Sequence, residues 1–161
     1  FQTADIEKKF PFRQRFDTII LNNVFEHLLD PKFVLATCKS HLLKKGKIII
    51  ITPNSDALEL DLFKKYWDGF HVPRHFFIFS IKAMLSLRRK MGFNQLTCFP
   101  LPDPGQWAIS LQNVFQNISF LKTRLKNGLA WYTIFCGILF TPLSLFTVLG
   151  KRSSSMFYVL E

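Results

Sequence analysis

At 161 residues the chain is long enough to bury one real core yet short for a complete doubly wound domain. Its composition, 48% hydrophobic and 16% aromatic with 19 Phe, excludes a disordered chain, because the apolar surface suffices to offset the entropy of ordering. The formal charge of +10 favours anionic partners without choosing among substrate, membrane surface and nucleic acid, and most of its Lys and Arg residues read as a solvated surface.

Thr3 to Phe12 carries Asp5-Ile6-Glu7 and then Phe10-Pro11-Phe12; from the residues alone Asp5 is a surface-loop carboxylate. Two apolar β-branched runs follow, at 16–21 and 47–52, that do not alternate with polar residues. That pattern is what strands buried on both faces of a parallel sheet require, and the residues between them suffice for a crossover helix. Asp30-Pro31 caps and opens that helix, expected over 31–44, with Phe33, Val34, Leu35, Cys38, Leu42 and Leu43 along one stripe. It is expected to close at Lys44-Lys45-Gly46. Pro53 stops the second strand. In open sheets of this kind ligands sit beyond the carboxyl ends of the strands, here Asn22 to His27 and Thr52 to Asn54.

Asp56 to Arg74 reads as a linker with some helical character, its Tyr66, Trp67, Phe70, His71, Arg74 and His75 forming either an acceptor-side wall or core plugs under a long loop. Ser80 caps a helix to about Lys90, closed by Met91-Gly92-Phe93, and 95–99 is another strand. Pro100, Pro102, Pro104 and Gly105 break the pattern. Leu129 to Leu149 holds no charged residue and is flanked by Lys122, Arg124, Lys126, Lys151 and Arg152. By length alone it is a membrane-spanning candidate. Pro142 and the basic ends suit a bent or re-entrant segment on an anionic surface better, with a buried helical pair or a lid as alternatives. Ser155 to Leu160 reads as a final strand. Cys38, Cys98 and Cys136 form no C-x-x-C and lack His pairing, which argues against disulfides and zinc, predicts no metal site, and suits a reducing compartment.

The stretches FDTIILNNVFEHLLDP, LLKKGKIIIITPN, VPRHFFIFS and RRKMGF, in that order, resemble the second half of a class I S-adenosylmethionine-dependent methyltransferase, in the quinone and small-molecule O-methyltransferase subgroup. The resemblance runs through about residues 1 to 99. It implies an α/β fold, a doubly wound, mostly parallel Rossmann-like sheet. The chain holds no G-x-G, so the family's Gly-rich cofactor turn is expected upstream, the first half missing here. Residues 1–105 are then the later part of the core, 106–150 an apolar helical insertion or membrane-contacting segment, and 151–161 the last strand.

The resemblance makes S-adenosylmethionine the cofactor. It assigns Asp5 to the adenine amino group and Ile6 to the ring, since a carboxylate accepts the exocyclic N–H. Asn22 and Asn23 would face the zwitterionic methionine portion, although Asn is also a common turn residue. His27 could take the proton of an acceptor hydroxyl as the methyl group arrives, with capping or packing as its plain alternative; Glu26 would order the loop by hydrogen bonding. Trp67, Arg74 and His75 would contact the acceptor, a small or lipid-linked molecule. The implied enzyme is cytoplasmic and peripheral on the inner face of an anionic membrane. A non-catalytic binding or membrane-docking module is the second reading. Nucleic acid is a weaker third, because the basic residues are scattered and form no stacking platform.

Overall fold

The computed structural model describes residues 3–118, 121–123, 125 and 129–161. The chain divides into two compact units: unit 1 is Phe1–Pro53, Pro73–Phe99 and Met156–Glu161, and unit 2 is Asn54–Val72 and Pro100–Ser155. The expected basic flanks Arg124 and Lys126 lie outside the described residues.

Unit 1 is built on a four-stranded sheet. Its strands are β1 (Phe16–Asn22), β2 (Leu42–Pro53), β3 (Leu96–Leu101) and β4 (Ser155–Leu160), in the order β1-β2-β4-β3. β1 and β2 are parallel, with Ile19 opposite Ile48, Leu21 opposite Ile50 and Asn22 opposite Ile51. β4 runs against its neighbours. The N–H groups of Asn94 and Gln95, at the start of β3, donate to the Glu161 carbonyl at the end of β4, and Glu161 N–H returns to Gln95. The sheet is thus mixed: a parallel pair, and a last strand inserted in reverse.

The core of unit 1 is Leu21, Phe25, Val34, Leu35, Cys38, Ile48, Ile50, Met84, Phe93 and the inward residues of β4, Met156, Tyr158 and Leu160. The helix α1 (Pro31–Ser40) starts where Asp30 accepts from the N–H groups of Lys32 and Phe33, with Pro31 at its first turn, and it buries Val34, Leu35 and Cys38. The helix α3 (Ile81–Lys90) is capped by Ser80, buries Met84 and Leu87, and ends on Arg88, Arg89 and Lys90, where cations suit the negative helix end.

Two expectations are corrected here. The first helix ends at Ser40 and not at Lys44, so Leu42 and Leu43 belong to β2 and not to a helical stripe. Pairing wins over helical periodicity: Phe16 N–H donates to the His41 carbonyl at 2.8 Å, and Phe16 pairs with Leu42. The turn signal at Lys44-Lys45-Gly46 is spent on an irregularity inside β2, which advances from Leu42 to Lys47 while β1 advances from Phe16 to Thr18. Lys45 takes the left-handed conformation there, φ 65°, and a side chain on Gly46 would lie 2.9 Å from the Leu43 carbonyl oxygen and 3.1 Å from that of Phe16. Second, β1, at the edge of the described sheet, is not buried on both faces: Ile20 is 60% exposed.

Unit 2 is helical, with α2 (Leu58–Phe63), two single 3₁₀ turns at Lys64–Tyr66 and Asp68–Phe70, α4 (Pro104–Asn117) and α5 (Thr133–Leu149). Asp103 caps α4 and Pro104 opens it. Trp107 is buried between the rings of Phe63 and Phe140. The buried Gln112 side chain accepts from Ala130 N–H and Thr133 hydroxyl, which pins the start of α5 to α4. α5 is a single helix through Pro142. Its buried residues are Thr133, Ser144 and Thr147, whereas Ile134, Phe135, Ile138, Leu139, Phe146 and Leu149 are exposed. The small polar face points inward and the large apolar face outward, the reverse of a surface helix. At 17 residues α5 spans roughly 25 Å by the helical rise, short of a hydrocarbon core of about 30 Å. Among the described residues no helix is long and apolar enough to cross a membrane. Arg152, expected as a free basic flank, is instead paired with the Asp61 carboxylate and donates to the Asp56 carbonyl.

Candidate functional site

The mouth of unit 1 lies where β1 and β2 end together. β1 finishes at Asn22, and Asn23 carries the ladder one bond further, its N–H donating to Ile51 O at 3.0 Å. Asn23 then turns the chain in the left-handed conformation, φ 49°, which Asn tolerates better than most residues. Both Asn side chains are exposed at this rim. A single 3₁₀ turn over Phe25–His27 folds the chain back. Phe25 is fully buried against the ring of Phe79, and this anchor turns Glu26 inward and leaves His27 half-buried at the rim.

Glu26 is the hub. Only 1% of it is exposed. The Thr52 hydroxyl, from the end of β2, donates to Glu26 Oε2 at 3.0 Å. The Glu26 carbonyl accepts from the N–H groups of Phe76 and Phe77, at 2.9 and 3.2 Å, so that the residue ties both strand ends to the 73–80 segment. His75 Nε2 lies 3.9 Å from Glu26 Oε1, and its ring meets that of His27 edge to face at 4.7 Å between centroids. His27 Nδ1 lies 2.9 Å from the Arg74 carbonyl oxygen. A carbonyl only accepts, so Nδ1 carries a proton, and in the neutral ring Nε2 holds the lone pair. Arg74 enters through its backbone, its side chain being exposed.

The expected adenine-side residues sit in a turn over Asp5–Lys9. The Asp5 carbonyl accepts from Lys8 and Lys9 N–H, and its carboxylate takes Glu7 N–H at 3.1 Å and the Lys8 ammonium at 3.3 Å. Ile6 packs against the core. The turn is fastened by Glu7, whose Oε1 accepts from Leu29 and Asp30 N–H, both at 2.8 Å, so Asp5 and Ile6 lie beside the connection that carries His27. A recess of about 310 Å³ opens over Ala4, Asp5, Lys8, Lys9 and Pro11. A larger, mostly apolar cavity of about 430 Å³ lies between α1 and α3, lined by Leu29, Asp30, Phe77, Phe79, Leu87 and Lys90 among others.

Of the residues expected at a site, Asp5, Ile6, Asn22, Asn23, His27, Arg74 and His75 all belong to unit 1, and His27, Arg74 and His75 are in direct contact. Trp67 belongs to unit 2, where it is 2% exposed and its indole N–H donates to Ser154 Oγ at 3.1 Å. Glu7 is a contact that the sequence did not single out, and Thr52 was expected at the strand end with Pro53 and Asn54 but not as the partner of Glu26. Thr52 had a usable signal, a hydroxyl at the last ladder position before Pro53. Glu7 had none, since its partners are backbone groups 22 and 23 residues away.

The methyltransferase domain family matches residues 1–97. Solved structures with the same fold include a SAM-dependent methyltransferase from Thermotoga maritima, described as a possible histamine N-methyltransferase, at TM-score 0.57 and 13% identity over 98% of this chain and 60% of that one. Phosphoethanolamine N-methyltransferase 2 of Haemonchus contortus, in complex with S-adenosyl-L-methionine, gives 0.53 and 16% over 98% of this chain and 35% of its own. A SAM-dependent methyltransferase from Archaeoglobus fulgidus gives 0.53 and 15% over 99% and 66%. This chain therefore spans between about a third and two thirds of the length of these structures. No curated protein matches it in sequence.

Proposed function

The chain belongs to the methyltransferase domain family, and we propose that it is part of an S-adenosylmethionine-dependent enzyme, of the quinone and small-molecule O-methyltransferase kind, that methylates a small-molecule or lipid-linked acceptor in the cytoplasm. The observation that carries this reading is the convergence of Asn22, Asn23, His27 and His75 at the shared carboxyl ends of the parallel pair β1 and β2, where ligands of such sheets bind. S-adenosylmethionine supplies a methyl group on a sulfonium, which leaves as a thioether with the electron pair of the broken C–S bond.

The chain's own residues do the rest. Asp5 would accept from the adenine amino group and Ile6 would offer apolar contact to the ring. The amides of Asn22 and Asn23 donate to the cofactor's carboxylate and accept from its ammonium. His27 Nε2 takes the proton that the acceptor oxygen gives up as its bond to the methyl carbon forms. His75 and the Arg74 guanidinium orient the acceptor. Most of the acceleration comes from alignment of the two reactants, since displacement at the methyl carbon is in line.

The test is made on the protein at its full natural length, with cofactor binding and methyl transfer measured separately. His27→Asn is expected to lower kcat by about 100-fold while cofactor affinity stays within about twofold. Asn22→Ala is expected to weaken cofactor binding by about tenfold, the loss of one hydrogen bond to a charged group. Absence of cofactor binding in the unaltered protein overturns the reading. The isolated 161-residue chain, which holds no G-x-G, is expected to bind the cofactor more weakly than micromolar.

A membrane-docking reading, with or without catalysis, is favoured by one observation, the outward apolar face of α5. The occupant that fits is an anionic bilayer surface, peripheral on the inner face. Trp131, 83% exposed at the head of α5, suits the headgroup level, and Lys151, exposed at its foot, adds about 1 kcal/mol of attraction near the surface. Flotation with anionic liposomes is expected at low salt, with partial release at high salt. Lys151→Glu is the variant to use, because reversal of Arg152 also breaks its pairing with Asp61. No flotation at any ionic strength removes the lipid-linked acceptor and leaves a small-molecule one.

A further inference from the structure

We propose that Glu26, His27 and His75 form a binding site for a divalent transition metal ion, with Zn²⁺ the favoured occupant. One ligand-capable atom from each of the three lies within 4.8 Å of the others. Donors around a tetrahedral cation at about 2.1 Å stand about 3.4 Å apart, so closure requires side-chain movement of roughly an ångström or more. The pair Glu26 Oε1 and His75 Nε2, at 3.9 Å, lies roughly half an ångström beyond that spacing, and it is too far apart for a direct hydrogen bond.

The surroundings of the three side chains are those of metal ligands. Histidines that bind a metal through one nitrogen characteristically donate the other N–H to a carbonyl or carboxylate, which fixes tautomer and ring orientation. His27 does this with the Arg74 carbonyl, leaving the Nε2 lone pair. Ligating carboxylates are in turn held by hydrogen bonds, as the Thr52 hydroxyl holds Glu26 Oε2. The Glu26 carboxylate and the His75 imidazole are 1% and 9% exposed and only His27 stands half-buried at the rim, so the cluster has a dry floor and opens past His27. Two imidazoles and one carboxylate suit zinc and its first-row neighbours and not magnesium or calcium, which take oxygen donors. Three protein ligands leave a fourth position for water or an acceptor oxygen. Only that last role rests on the methyltransferase reading, and it takes the place of proton acceptance by His27, because an Nε2 lone pair held by the ion takes no proton and the ion itself acidifies a bound hydroxyl; binding of the ion does not rest on that reading. Cysteine spacing carries no sign of such a site, because its donors are a carboxylate and two imidazoles on two segments, around Glu26-His27 and at His75.

The experiment uses full-length protein stripped with chelator and dialysed against Zn²⁺, with bound metal counted by elemental analysis, and against Co²⁺, whose visible absorption reports low-coordinate nitrogen and oxygen ligation. One tight equivalent is expected. His27→Ala and His75→Ala should each weaken it by about 100-fold and Thr52→Val, which removes only the donor behind Glu26, by about tenfold. His41→Ala, His71→Ala and Cys98→Ser should leave it unchanged. Circular dichroism on each variant separates loss of a ligand from loss of the fold. Absence of a tight equivalent, or one that survives in the His27→Ala/His75→Ala double variant, overturns the proposal. Cofactor binding measured on the same samples keeps the two readings apart, because either can fail while the other stands.

Discussion

Each unit buries one glutamate, and the two are solved differently. In unit 1 Glu26 receives the Thr52 hydroxyl and faces His75, while its carbonyl ties down Phe76 and Phe77. In unit 2 Glu59 is fully buried and its carboxylate oxygens meet no donor in good hydrogen-bond geometry. Burial pushes the Glu59 carboxyl above its ordinary value, and the Asp103 charge adds to this. The Ser154 hydroxyl and nearby backbone N–H groups, short of full geometry, offset only part. A buried carboxylate that is partnered organises what surrounds it, whereas one that is not stores a cost. The first stands at a strand mouth, with His75 facing it and His27 beside that ring. For Glu59 no convergence is seen.

The comparison is broken most strongly at its partnered end. Glu26→Ala leaves the Thr52 hydroxyl without its acceptor and opens a void beside His75, so a loss of about 3 kcal/mol is expected, read as a fall in the denaturant midpoint. Glu26→Gln keeps an acceptor for Thr52 and should lose well under half of that. Equal losses for the two would mean that volume, and not hydrogen bonding, is what Glu26 contributes. Thr52→Val is next in size. It preserves shape and removes the donor alone, for an expected loss of about 1 kcal/mol, again by denaturant unfolding.

What could be read in the sequence follows the same division. The strands at 16–21 and 155–160, the Asp30 and Ser80 caps and the convergence on Asn22 to His27 were legible, because each rests on local rules: apolar runs, capping chemistry and the strand-end position. The end of α1 was not, since Leu42 and Leu43 continue a helical stripe equally well and only pairing with Phe16 decides against it. The exposure of Ile20 was hidden for a similar reason, as a β-branched run does not say whether its strand is an edge. Glu26 was legible as a loop-ordering residue but not as a hub, because Thr52, Phe76 and His75 reach it from three separate stretches. The inverted face of α5 was wholly illegible: its composition is apolar throughout, and Ser144 and Thr147 turn inward only because Asp103 N–H, the Ser144 carbonyl and the Ser153 hydroxyl await them within unit 2.

The smallest effect lies at the unpartnered end, and it is one of pH. The Glu59 pKa in the folded protein is raised above its ordinary value of 4.5, so the folded state holds this proton more tightly than the unfolded state does. The resulting contribution to stability is fully present below the ordinary carboxyl pKa and is lost as pH rises through the folded value. Glu59 therefore tilts the stability profile toward acid, opposite to a salt-bridged Asp or Glu, whose contribution disappears as pH falls. Glu59→Gln removes the titration while keeping the shape, so the variant should gain on the unaltered protein as pH is raised from about 4 toward neutrality and show no advantage at the acid end. Unfolding midpoints for the two proteins, taken side by side across that range, give the test. Parallel profiles would mean that Glu59 titrates alike in both states, and the contrast between the two glutamates would then rest on packing alone.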